Sequence, residues 1–98
     1  MSISFSVIVK NEGGLHARPC SILVQYAISN GLDMIVSYND RDVSAHSLLD
    51  VLSLCVPKGS EVNIQIAQDE HGACGTIPIE EAEQDIKGLF ATRFGMKK

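Results

Sequence analysis

Apolar and polar residues alternate from the start of the chain. Ile3, Phe5, Val7 and Val9 fall between Ser2, Ser4, Ser6 and Ile8, the two-residue period of a strand with one buried face. After a loop of Asn11-Glu12-Gly13-Gly14 the period changes. Cys20, Leu23, Val24, Ala27 and Ile28 recur at helical spacing, so a helix is predicted from Ala17 to about Ser29, with Asn30-Gly31 as its stop. Pro19 fits the first turn, where its missing N–H has no intrahelical partner to lose, and this sets the start at or just after His16. Leu32, Met34, Val36 and Tyr38 alternate as a second strand, Asn39-Asp40 is turn chemistry, and a short third strand is predicted from about Asp42 to Ala45. Ser47-Leu48-Leu49-Asp50 has the S-x-x-D form of a near capping box, opening a short helix to about Leu54 before Pro57-Lys58-Gly59. Val62, Ile64 and Ile66 form a fourth strand. Ile79, Ala82, Ile86, Leu89, Phe90 and Arg93 or Phe94 trace a last helix, with Glu80, Glu81 and Glu83 near its positive end.

The order β-α-β-β-α-β-α predicts an α+β fold with helices on one face of an antiparallel sheet. The 98 residues suit one domain, 1–98, with a single core. Residues 68–78 are left over from this pattern. Asp69-Glu70-His71-Gly72 reads as a turn, and the segment is expected to form an extra short hairpin arm.

Charge and cysteine content narrow the function classes. The net charge is −4 and the one basic run is Lys97-Lys98, which argues against a nucleic-acid partner. No apolar stretch approaches the roughly 20 residues of a membrane span. The first residues lack the basic lead and apolar core of a signal peptide, so a cytoplasmic protein without membrane insertion is expected. Cys20, Cys55 and Cys74 are odd in number and lack ligand spacing, which predicts buried or half-buried free thiols, and no metal site. His71 and Cys74, three apart in a loop, make too weak a pair for zinc.

The candidate chemistry lies in Gly14-Leu15-His16-Ala17-Arg18-Pro19. A histidine ring can act as a nucleophile near neutral pH. A helix start offers N–H groups and the positive end of the dipole to an anion. Arg18 adds a permanent, forked cation suited to phosphate. A nucleophile beside an oxyanion cradle is what reversible phosphorylation of a histidine needs.

This segment, the block Ser47-Leu48-Leu49-Asp50-Val51-Leu52-Ser53-Leu54 and the element order together resemble the HPr family of histidine-containing phosphocarriers of the bacterial sugar phosphotransferase system. The resemblance spans roughly Phe5 to Ala67, and the last helix more loosely. It implies an open-faced β-sandwich, a four-stranded antiparallel sheet covered by three helices. By the same resemblance the chain is a covalent phosphoryl carrier and not an enzyme in its own right, it needs no cofactor, and it acts as a monomer. His16 would accept a phosphoryl group on Nδ1 from enzyme I, which takes it from phosphoenolpyruvate, and pass it to IIA domains of sugar permeases. Arg18 matches the family's active-site arginine. Ser47 matches the serine modified by a dedicated serine kinase/phosphorylase in members regulated that way. Ala17, Cys20, Leu48, Leu49 and Leu52 are expected to contact partners. Of the three leucines, one must face the core, and any exposed ones would make an adhesive patch.

Ser47 also has a plain structural role as helix cap, worth about 1 kcal/mol. A phosphate there is tolerated by a helix start and would act on docking more than on fold. Three features depart from the family pattern: His46 where many members carry lysine, Asp50 where a neutral or basic residue is common, and the length of 68–78. His46 lacks an arginine cradle and is expected to be a solvated side chain. An alternative within the same family is a regulatory phosphoprotein of a specialised or incomplete phosphotransferase branch, acting by protein–protein interaction. A split β-α-β regulatory domain that binds small molecules shares the architecture but would not require the His-x-Arg-Pro helix start.

Overall fold

A computed structural model describes residues 2–67 and 77–96. The strands are β1 (Ser2–Ile8), β2 (Asp33–Tyr38), β3 (Arg41–Ser44) and β4 (Glu61–Ala67); the helices are α1 (Ala17–Ser29), α2 (Leu48–Leu52) and α3 (Ile79–Ala91), followed by a 3₁₀ turn at Arg93–Gly95. The strands form one antiparallel sheet in the order β1-β4-β2-β3. This is the predicted open-faced arrangement.

Register explains the layering. Val7 pairs with Val62 and Phe5 with Ile64; Val36 pairs with Ile64 and Met34 with Ile66. One apolar row therefore crosses the sheet under the helices. It meets Leu23, Val24 and Ala27 of α1 and Ile79, Ala82, Ile86 and Phe90 of α3, all buried. Full burial of each large side chain contributes about 1.5–3 kcal/mol. The opposite face carries Ser4, Ser6, Asn63 and Gln65 and meets solvent among the described residues. Ile3 and Phe5 are only half-buried although they face inward, because β1 is an edge strand.

Local signals set the turns. Asn39 and Asp40 have φ of 55° and 65°, the paired left-handed residues of a two-residue hairpin that matches strand twist. At the end of α1, the Gly31 N–H donates to the Ile28 carbonyl and the Leu32 N–H to the Ala27 carbonyl. With Gly31 at φ 61°, this is the Schellman closure of a helix. Tyr26 ties α1 to α3 by donating to Asp85 Oδ2 at 2.7 Å; burial first, and then that carboxylate, push its phenol well above the usual tyrosine range.

Two predicted helices and one predicted burial need correction. The second helix stops at Leu52, and the C-cap Ser53 donates its Oγ to the Asp50 carbonyl at 2.6 Å. The last helix does not reach Arg93 or Phe94. Both have left-handed backbones, with φ 55° and 56°, and the turn folds the Phe94 ring back onto Phe90, 4.8 Å between centroids. Cys55 is exposed, not buried or half-buried. The hairpin expected at 68–78, and His71 and Cys74 within it, fall almost wholly outside the described residues. Of that segment only Ile77 and Pro78 are described, and they lead into α3. No helix among the described residues is long and apolar enough to cross a membrane.

Candidate functional site at the start of α1

The loop before α1 is held from two sides. Gly14 has φ 71°, and a side chain there would run into the Val56 carbonyl oxygen and Pro57. Only glycine fits. That close approach lets the Leu15 N–H donate to the Val56 carbonyl at 2.9 Å, while the Gly14 N–H bonds the Asn11 carbonyl at 2.9 Å. Asn11 is fully buried and donates from Nδ2 to the Arg93 carbonyl at 2.9 Å. The C-terminal turn thus anchors the loop. Lys58 meets Glu12 at 2.6 Å, and this hydrogen bond and charge hold the Glu12 carboxyl below the usual carboxylate range.

His16 is the N-cap of α1, with extended backbone (φ −89°, ψ −167°) and no side-chain capping bond. Its carbonyl accepts the first helical bond, from the Cys20 N–H at 3.0 Å. The N–H groups of Ala17 and Arg18 lie ahead of that bond, and Pro19 has none, so this end of the dipole is left open. The ring rests on Gly13: a Cβ on that glycine would lie 2.8 Å from His16 Cδ2 and 3.3 Å from Nε2. The Cδ2–Nε2 edge therefore faces the loop. Arg18 and Ala17 are exposed on the same turn.

The other predicted residues separate into two groups. Ser47 is the N-cap of α2, and its Oγ accepts from the Asp50 N–H at a long 3.4 Å. The reciprocal half of a capping box does not form, because the Ser47 N–H donates to the Ser44 carbonyl at 3.2 Å. Leu49 is 77% exposed and Leu48 36%, while Leu52 packs partly against the core. Cys20 is a correction. It is fully buried, its Sγ donates to the Leu15 carbonyl at 3.1 Å, and burial pushes the thiol up to about 11. It supports the loop from beneath and offers no surface to a partner. His46 is exposed, as expected, and its Nε2 also lies 2.6 Å from the Leu32 carbonyl oxygen. No cluster of three or more metal-ligating side chains occurs among the described residues.

Sequence reasoning passed over Asn11 and Arg93 as supports of the site. Asn11 and Arg93 lie 82 positions apart, so no local pattern joins them. The Gly13-Gly14 pair was a detectable signal, but it did not reveal which glycine the histidine ring covers.

The family model described as the PTS HPr component phosphorylation site matches residues 3–78. The chain is similar to phosphocarrier protein HPr of Chlamydia pneumoniae, 28% identical over 88 residues that cover 90% of this chain and 74% of that protein. Among solved structures it is similar to HPr-C-His from Thermoanaerobacter tengcongensis, with TM-score 0.80 and 28% identity, covering 98% of this chain and 99% of the other. The histidine-containing phosphocarrier of a Mycoplasma aligns with TM-score 0.75 and 26% identity, over 94% and 97% of the two chains. A histidine at an open helix start, on this sheet and in this sequence context, places the chain in the HPr family of phosphocarriers of the phosphotransferase system.

Proposed function

We propose that His16 is the phosphoryl acceptor, that it is loaded by enzyme I from phosphoenolpyruvate, and that it passes the group to IIA domains of sugar permeases. The observation that carries this reading is the state of the His16 side chain: it stands at the N-cap of α1 but caps nothing, and its ring rests on Gly13 beside the open first turn. The Nδ1 lone pair attacks phosphorus as the bond between phosphorus and the donor group of enzyme I breaks, and that group leaves with the electron pair of the broken bond. The new phosphate carries negative charge at the positive end of α1, near the Ala17 and Arg18 N–H groups and the Arg18 guanidinium. These supports are exposed, so they stabilise the phosphohistidine without trapping it. Exposed Ala17, Leu48 and Leu49, with half-buried Leu52 beside them, supply the docking contacts.

Regulation at Ser47 by a serine kinase/phosphorylase is a second reading, favoured by one feature. The Ser47 Oγ makes only a 3.4 Å bond at a partly exposed helix start, beside Leu48 and Leu49. A phosphate there adds about −1.5 to −2 charge next to Asp50. Its effect falls on docking, in normal phosphotransfer or in a specialised regulatory branch.

Incubation with enzyme I and phosphoenolpyruvate, read by intact mass and peptide mapping, tests the main reading. The expected result is one acid-labile phosphate on His16, absent from a folded His16→Ala variant. Phosphate retained by that variant would sink the assignment. Slower loading by enzyme I after Ser47 phosphorylation supports regulation, and unchanged loading rejects it.

A further inference from the structure

The loop that carries His16 is tied to the segment from Val56 to Ser60 on both sides of its tip and at the tip itself. Before the tip, the Gly59 N–H donates to the Val9 carbonyl at 2.7 Å and the Val9 N–H to the Ser60 carbonyl at 2.9 Å. After it, the Leu15 N–H bonds the Val56 carbonyl. At the tip, Lys58 Nζ donates to Glu12 Oε1 at 2.6 Å. Glu12 is the residue before Gly13, on which the His16 ring rests. The loop therefore brings a carboxylate to the edge of a site that has to take up an anion.

That charge works against the chemistry of the site. A carboxylate repels a phosphate brought to the start of α1, where the first-turn N–H groups and the Arg18 guanidinium attract it. Two cations act on Glu12. Lys58 is in direct contact, and its hydrogen bond and charge hold the Glu12 carboxyl below the usual carboxylate range; Arg93, from the C-terminal turn, adds a smaller pull in the same direction. Both members of the pair are exposed, Lys58 by 50% and Glu12 by 61%, so the bridge adds little to stability. Its effect is on the local field. With Lys58 in place the two charges at the loop tip cancel as seen from the start of α1.

We propose that Lys58 is a positioning residue for phosphoryl transfer, which keeps the Glu12 carboxylate from opposing the anion at the start of α1. This role rests on His16 being the phosphoryl acceptor. Lys58 acts through Glu12 and makes no bond with the phosphate itself. Its removal leaves an uncompensated negative charge beside Gly13, and removal of both charges restores a neutral loop tip. A lysine that served only to clasp the loop would behave otherwise, because the double variant lacks the bridge just as the single variant does. A lysine that bound the phosphate directly would not be rescued by loss of Glu12 either.

The test compares the wild-type chain, Lys58→Met and the double variant Lys58→Met/Glu12→Gln. Both positions are exposed, and surface substitutions of this kind leave a fold intact; Lys58→Gln gives the same comparison should the methionine variant fail to fold. Inorganic phosphate is titrated against each protein and followed by the Ala17 and Arg18 amide resonances. At low salt Lys58→Met is expected to weaken phosphate binding on the order of threefold to tenfold, the scale of one exposed charge at short range. The double variant should recover most of that loss, and the difference should fade in about 1 M salt, where charges are screened beyond about 3 Å. Loading of His16 by enzyme I should follow the same order. A double variant that binds phosphate no better than Lys58→Met overturns the proposal. So does a Lys58→Met chain that binds it like wild type, or a wild type whose two amides do not respond. A wild-type His16 that enzyme I does not load overturns the acceptor assignment instead, because the phosphate titration needs no transfer.

Discussion

The two helix starts that carry the candidate chemistry are finished in opposite ways. At α1, His16 occupies the cap position but its side chain makes no capping bond, leaving the first-turn N–H groups and the ring free for an incoming anion. At α2, Ser47 closes the helix with its own hydroxyl, and Asp50 already places a negative charge in the first turn. An open end suits a transferred phosphate that must be bound and released. A closed end is first a structural cap, and a modification there has to act on an already satisfied site. The contrast extends to the supports. The loop before α1 is pinned by Leu15 to Val56 and by Asn11 to Arg93, whereas the Ser47 cap bond is local and long.

The largest expected effect tests the pinning. Gly14→Ala forces a left-handed backbone on an L-residue, a strain of about 1–3 kcal/mol, and drives a methyl group into the Val56 carbonyl. It should lower unfolding stability by at least that amount in urea titrations and slow loading of His16. Gly13→Ala sharpens the comparison, because Gly13 lacks the positive φ of its neighbour and a methyl there displaces the ring alone. Stability should stay near wild type, while the rate of phosphoryl transfer falls on the order of tenfold to a hundredfold, the scale set by misplacing a reacting group. A wild-type rate would show that the ring is not seated on that glycine. The smallest effect belongs to α2. Ser47→Ala should cost about 1 kcal/mol, Ser47→Asp should recover most of it, and neither should alter the number of phosphates on His16. Loss of His16 loading in the alanine variant would break the distinction between the two sites.

Most of this arrangement was legible along the chain. α1 begins at Ala17 and ends at Ser29 as periodicity, Pro19 and Asn30-Gly31 imply, because each signal acts within one or two turns. The Asn39-Asp40 hairpin was equally local. The fraying ends were not. α2 stops early because Ser53 and Arg41 complete its last turn, and Arg41 comes from another strand. Cys20 looked like a surface contact from its place beside the motif, yet its helix turns it under the loop. His46 is solvated as its surroundings in the chain imply, but its contact with the Leu32 carbonyl, fourteen positions away, was not legible.

By itself, then, the sequence determined the elements, their order, the choice of one sheet face as core, and the family to which the chain belongs. These follow from period, turn chemistry and motif, which depend on residues within a few positions of one another. Only the tertiary structure decided how the His16 ring is seated, which thiol is inert, how the C-terminal turn anchors the loop, and which cation meets the Glu12 carboxylate. Each of these depends on atoms brought together from distant parts of the chain, where packing and hydrogen-bond geometry govern and local spacing carries no information.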